Sequence, residues 1–140
     1  MSLNYNALKR KLTDVLKSRS VQVGNFTLAS GRQSRYYIDA RRTTMSAVGM
    51  DLIGQLGLAL IRQMEWDAHL VGGLTLGADP VAYAIAMASR RAPPDVDAFT
   101  VRKEPKGHGT ARVIEGCFEP GSRVVVVEDS IVRGTTLKKL

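Results

Sequence analysis

Two loops in this 140-residue chain carry side chains whose types and spacing could do chemistry. The first follows the valines Val124 to Val127 and reads Glu128-Asp129-Ser130-Ile131-Val132-Arg133-Gly134-Thr135-Thr136. A continuous β-branched run predicts a strand buried on both faces. Such a strand delivers two adjacent carboxylates to its carboxyl end, and a glycine and two hydroxyls follow where a helix should open. Backbone N–H groups at a helix start cradle a phosphate, and hydroxyls add donors. Carboxylates do not bind a phosphate directly; they suit sugar hydroxyls, or a metal held beside it. The combination asks for a ligand with both a phosphate and a polyol. The second loop is Arg102-Lys103-Glu104-Pro105-Lys106-Gly107-His108-Gly109. Its three cations and histidine could close over an anionic leaving group such as pyrophosphate, neutralise developing charge and exclude water. Taken alone, it reads equally well as a solvated basic loop.

These loops need elements to hold them. Tyr5, Leu8, Leu12, Val15 and Leu16 recur at spacings of three and four, one apolar helix face over residues 4–19. Val21 to Leu28 reads as a strand, Ala29 to Arg32 as a polar turn, and Tyr36-Tyr37-Ile38 as a second strand closing at Asp39. Thr43 or Thr44 can cap the next helix, with a buried stripe of Val48, Leu52, Leu56, Ala59, Leu60 and Met64 and an end near Glu65-Trp66. His69-Leu70-Val71 is a short apolar run before a glycine-rich turn, Gly72 to Gly77. Pro80 suits the first turn of a further helix through Val81, Ala84, Ile85 and Ala88, which Ala92-Pro93-Pro94-Asp95 breaks. Phe99-Thr100-Val101 is another strand. Strands alternating with helices predict an α/β fold, a mostly parallel sheet flanked by helices. Ligands in such sheets bind at the carboxyl ends of the strands, where residues 72–77, 102–109 and 128–136 would gather. No internal repeat or low-complexity linker interrupts the chain, so residues 1–140 read as one domain.

Composition bounds the function classes. Hydrophobic residues make up 44% and charged residues 24%, which excludes disordered and coiled-coil classes. Cys117 is the single cysteine, so a disulfide scaffold is out. It reads as a buried or half-buried structural thiol, and a reducing cytoplasm is the simplest address. No apolar stretch approaches a membrane span and the amino terminus lacks a leader pattern. Twenty Lys and Arg against thirteen Asp and Glu give a net charge of +7, which favours anionic partners. Lys9, Arg10, Lys11 and Lys17 lie on the first predicted helix and read as a solvated face. Aromatic residues are only 6%, too few for the stacking platforms that usually accompany nucleic-acid binding.

The loop of residues 128–136 resembles the phosphoribosyl-pyrophosphate (PRPP) loop of the type I phosphoribosyltransferases. The resemblance implies that Glu128 and Asp129 face the ribose hydroxyls, and that Ser130, Gly134, Thr135 and Thr136 hold the 5′-phosphate. Residues 102–109 resemble the mobile catalytic loop of the orotate phosphoribosyltransferase family. That likeness implies that Arg102, Lys103, Lys106 and His108 bind PRPP and pyrophosphate, with Lys103, Lys106, His108 and Asp129 at the catalytic centre. It also implies a homodimer in which loop 102–109 is shared across subunits. Phe26 to Asp39 resembles the same family's amino-terminal signature, so residues 1–40 would form a base-side hood over a 41–140 core. Tyr36 and Tyr37 are the candidates for orotate contact, although paired tyrosines in a strand are by themselves more often packing. Gly72 to Pro80 resembles the pyrophosphate-side loop, and Ile114-Glu115-Gly116 adds to the match. The implied reaction joins orotate to PRPP, giving orotidine 5′-monophosphate and pyrophosphate, with Mg²⁺ bridging substrate oxygens rather than held in a cage of protein ligands.

The chain departs from that pattern in places. Ala29 and Leu76 stand where family members often carry lysine. Residues 130–139 look more like the phosphate loop of the amidophosphoribosyltransferases of purine synthesis, with Val132 where a threonine is expected. Only Leu137 to Leu140 follow, and the family's orotate-binding arginine lies beyond. The chain therefore reads as a piece of a longer one or as a fold completed differently. Two other functions stay open on the residues: a phosphoribosyltransferase fold that binds PRPP, nucleotide or RNA without turnover, and transfer to another nitrogen acceptor.

Overall fold

Helix α1 (Ser2–Arg19) forms where the apolar spacing predicts it. Tyr5, Leu8, Leu12, Val15 and Leu16 are half-buried, while Lys9, Arg10, Lys11 and Lys17 are exposed. Lys17 and Arg19 sit in the last turn, where cations complement the helix dipole. The computed structural model of the chain describes residues 2–104 and 112–129.

Strands β1 (Val21–Thr27) and β2 (Gln33–Ile38) pair antiparallel as a two-stranded sheet of their own. Their turn closes with Gly31, whose N–H donates to the Leu28 carbonyl at 2.8 Å and whose φ of 81° suits glycine. The sheet is tied down at its base, where the Asp39 N–H donates to the Ser20 carbonyl. The Ser20 and Thr43 hydroxyls meet there at 2.6 Å, both buried.

Thr43 and Thr44 do not cap the long helix. They lie inside a short helix, α2 (Arg41–Thr44), and are buried. The cap of α3 (Ala47–Gln63) is Ser46, whose hydroxyl accepts from the Gly49 N–H at 3.1 Å. The buried face of α3 also differs from the predicted stripe. Gly49, Leu52, Gly54, Leu58 and Ile61 are buried, whereas Val48, Leu60 and Met64 are exposed. The reason is Gly54 and Gly57, which let the α4 backbone and the Ile85 side chain come close. A Cβ on Gly54 would lie 2.4 Å from the Ala84 carbonyl oxygen.

The second sheet runs β5-β4-β3-β6. Strands β3 (Leu70–Leu74), β4 (Asp97–Val101) and β6 (Val124–Val126) are parallel, and β5 (Ile114–Gly116) pairs antiparallel with β4. This is the expected mostly parallel α/β sheet; β5, three residues long, is too short for a periodic signal in the sequence. Helix α4 (Asp79–Arg91) follows β3, with Pro80 in its first turn as predicted. Gly72 and Gly73 are not in a turn; they are strand residues of β3. Their Cβ positions are taken by Phe99 and by Val127 and Ala78, so tertiary packing overrides their turn preference. The valines of β6 are half-buried rather than fully buried, because β6 is the edge strand among the described residues.

The core has two parts, one for each face of the sheet. Leu58, Ile61, Val71, Ala82, Ile85 and Val96 pack between α3, α4 and the sheet. Leu70, Phe99 and Val101 bury the other face, with Ile114, Phe118 and Val124 around them. Cys117 is exposed, not buried, because it lies just past β5 on the outer side of the sheet edge. Among the described residues no helix is long and apolar enough to cross a membrane.

Candidate active site at the strand ends

The parallel register sets the carboxyl ends of three strands side by side. Leu74 of β3 pairs with Val101 of β4, and Gly72 pairs with Val126 of β6. The chain therefore leaves the sheet at three adjacent points: Thr75 to Gly77 in the middle, Arg102 to Glu104 on one side, Val127 to Asp129 on the other. The exits are stitched together by main chain. The Thr75 N–H donates to the Val101 carbonyl, and the Val127 N–H to the Gly72 carbonyl, each at 2.8 Å.

On the acidic side, Glu128 and Asp129 sit against the turn. Desolvation first, and then the charge of Asp129, push the Glu128 carboxyl above its ordinary range. The Leu74 amide donates to it and acts in the opposite direction. Asp129 lies over Gly77, where a Cβ would meet its Oδ1 at 2.3 Å.

On the basic side, an open cleft of about 690 Å³ is lined by Thr75, Tyr83, Thr100, Arg102, Lys103 and Glu115 among others. Arg102 donates to Glu115 at 3.3 Å. Glu128 and Asp129 do not line this cleft. The turn of residues 75–77 stands between the acids and the cations, with Thr75 facing the cleft.

The structure thus places Arg102 and Lys103 on one side of the turn after β3 and Glu128 and Asp129 on the other. Tyr36 and Tyr37 lie on the separate β1–β2 sheet, 58% and 41% exposed, so neither is packed into the core. As neighbours in a strand they point to opposite faces. Tyr37 stacks at a tilt on Phe26, with ring centroids 5.6 Å apart. Just past β2, Arg41 at the start of α2 pairs with Asp39. Its guanidinium donates to Asp39 at 2.9 Å, the main reason the Asp39 carboxyl is held below its ordinary range. Asp39 chiefly, with weaker fields from Tyr37 and Asp129, raises the Arg41 pKa. Lys106, His108, Ser130, Gly134, Thr135 and Thr136, and with them Val132, lie outside the described residues. Leu76 is 56% exposed in the turn, and the Thr75–Leu76 peptide is cis. Ala29 is exposed in the β1–β2 turn.

A second group also escaped the sequence. Asp79 accepts from the Thr75 hydroxyl at 2.6 Å and from the Thr100 hydroxyl at 2.8 Å, and Tyr83 reaches Thr100 at 2.8 Å. The available signal was an acidic residue beside Pro80 at a helix start. Among the described residues no three His, Cys, Asp or Glu side chains converge to hold a metal ion. The acid pair offers two carboxylates, a donor set that suits a cation carried mainly by substrate oxygens.

No family model matches the chain. Relatives do. The chain is 46% identical over 134 residues to orotate phosphoribosyltransferase of Aquifex aeolicus, covering 94% of this chain and 72% of that protein. It is 47% identical over 137 residues to the Corynebacterium glutamicum (strain R) enzyme of the same name, covering 96% and 70%. Among solved structures, Mycobacterium tuberculosis orotate phosphoribosyltransferase in complex with Fe(III) dicitrate superposes with a TM-score of 0.81 at 44% identity, covering 94% of this chain and 73% of that one. The same enzyme in complex with PRPP gives 0.72 at 37% identity, covering 95% and 65%. At 46–47% identity to relatives of which it covers 70–72%, the chain belongs to the orotate phosphoribosyltransferase family.

Proposed function

We propose that this chain transfers the phosphoribosyl group of PRPP to orotate, giving orotidine 5′-monophosphate and pyrophosphate in pyrimidine biosynthesis. Relatives of that name at 46–47% identity over nearly the whole chain support the reading. The observation that carries it is the order of charge across the strand ends: cations after β4, a bare turn after β3, carboxylates after β6. PRPP has the complementary order, a diphosphate at one end of a ribose and hydroxyls along it.

Placed that way, Glu128 and Asp129 accept from the ribose 2′ and 3′ hydroxyls. Arg102 and Lys103, with Lys106 and His108, take the diphosphate. The bond from ribose C1 to the diphosphate oxygen breaks, its electron pair leaving with pyrophosphate, and a bond from C1 to the acceptor nitrogen forms. Positive charge grows on the ribose near the two carboxylates, and negative charge grows near the basic segment. Preorganised charges of opposite sign at both ends lower the barrier without a covalent intermediate. Mg²⁺ bound with PRPP would add charge neutralisation at the diphosphate. Ser130, Gly134, Thr135 and Thr136 are assigned the 5′-phosphate. Tyr36 and Tyr37 are assigned the pyrimidine, a role their exposure leaves open to them. A homodimer completes the reading, with loop 102–109 reaching the neighbouring site. The exposed apolar side chains of the hood, Val23 at 78% and Ile38 at 62%, give a second copy a surface to cover.

The test is orotate-dependent pyrophosphate release from PRPP in the presence of Mg²⁺. Release that requires orotate is the expected result. PRPP binding without release would assign the chain to binding alone, and release with a different base would move the acceptor.

A further inference from the structure

Asp79 is 9% exposed at the first turn of α4, and both of its oxygens are used. Oδ2 accepts from Thr75, the first residue after β3, and Oδ1 from Thr100, in β4. An ionised carboxylate only accepts, and a threonine hydroxyl has a single hydrogen. Both threonine hydrogens are therefore committed to Asp79. The Tyr83 hydroxyl, 2.8 Å from the Thr100 oxygen, must then be the donor in that contact. The chain of hydroxyls has one direction: Tyr83 to Thr100 to Asp79, and Thr75 to Asp79.

That direction decides what the cleft wall offers. Thr75 and Tyr83 both line the cleft, and with their hydrogens spent they present lone pairs to it. Lone pairs attract donors, and Arg102 and Lys103 line the same cleft. They do not attract a phosphate oxygen. We propose that Asp79 is a positioning residue: it fixes the Thr75 turn to β4 and turns the hydroxyls of the cleft wall into acceptors that steady Arg102 and Lys103, the two described cations assigned to the diphosphate. This rests on the assignment of the diphosphate to the basic side of the site.

The variant Asp79→Asn keeps the shape and replaces one acceptor oxygen by a donor, so one threonine must turn its hydrogen away. The KM for PRPP and the Kd for inorganic pyrophosphate should each rise on the order of tenfold, the loss of about one net hydrogen bond at a charged group. The KM for orotate should stay within about twofold, below the effect of one neutral hydrogen bond. Thr100→Val should reproduce the effect and Thr100→Ser should restore it. Ser89→Ala breaks another buried hydrogen bond of α4, the one Ser89 accepts from the Val96 N–H at 2.8 Å. It should lower the melting temperature while leaving both KM values in place. Unchanged PRPP and pyrophosphate binding in Asp79→Asn, or an equal rise in the orotate KM, overturns the proposal. If Asp79→Asn does not fold, the Thr100→Val and Thr100→Ser pair decides by the same criterion. Failure of the unaltered chain to bind PRPP or pyrophosphate is a different result, and it overturns the diphosphate assignment and this proposal together.

Discussion

The Asp129 carboxylate lies on the bare backbone of Gly77: a Cβ at that position would be 2.3 Å from Oδ1 and 2.5 Å from Cγ. No real side chain tolerates that approach, so the acid keeps its place only while residue 77 is glycine. Gly77→Ala should push Asp129 away from the ribose side of the site. Displacements of that size cost on the order of 10- to 100-fold in rate. We expect kcat/KM for PRPP to fall by that much, with circular dichroism unchanged. Steady-state kinetics beside a thermal melt would check it.

Glu128 gives a pH signature with a definite sign. Its carboxyl is raised above the ordinary 4.5, by desolvation first and then by Asp129. The folded chain thus holds this proton more tightly than the unfolded chain. Stability from this group is fullest below 4.5 and falls as pH rises through the raised value. Glu128→Gln should therefore be more stable than the parent at pH 8 and equal to it at pH 4. The gain should be a fraction of a kcal/mol, because the side chain is largely solvated. Turnover should fall in the same variant, since the ribose loses an ionised acceptor. Urea midpoints at the two pH values would decide the sign.

Lys103 lies exposed at the mouth of the cleft and contributes to no core cluster. Removing its charge should act on the transition state more than on the fold. For Lys103→Ala, and for Lys106→Ala, we expect kcat to fall on the order of 10²-fold, as when one preorganised electrostatic contact is lost. The melting temperature should move by no more than about 1 °C, since surface substitutions change stability little. Pre-steady-state pyrophosphate release would separate a chemical defect from slow product loss.

Gly72→Ala is expected to do the reverse, harming the fold before the chemistry. Its Cβ would meet the Phe99 carbonyl oxygen at 2.2 Å and the Phe99 ring at 2.6 Å, in the centre of the sheet. Overpacking of this kind costs about 1–3 kcal/mol, or more where backbone must yield. A shift in the denaturant midpoint with an unchanged KM for orotate in the surviving folded fraction would bear this out.

How far the sequence could be read depended on whether the deciding interactions were local. Helix α1, β1, the Gly31 turn and the Pro80 start of α4 follow from residues a few positions apart, and they stand where the spacing placed them. The acid pair after the valine run was also legible, because strand and loop are contiguous. The face of α3 was not: the helix is apolar on several sides, and which side is buried depends on Gly54 meeting Ala84, thirty residues on. Gly72 and Gly73 look like a turn locally and become strand through Phe99 and Val127. Ser46 takes the cap because α2 consumes Thr43 and Thr44, a short helix with no periodicity to announce it. Asp79 stayed hidden for the same reason, since Thr100 reaches it only across paired strands.

Strand β3, which lies between β4 and β6, and the turn after it are kept narrow by glycine. At Gly72, Gly73 and Gly77 the first carbon of any side chain would collide with a neighbour. Those places are filled by Phe99, Val127, Ala78 and the Asp129 carboxylate instead, so β3 and its turn hold their neighbours through bare backbone. A substitution at any of the three disturbs a neighbouring element rather than its own alone, so this stretch of the chain has little freedom to vary.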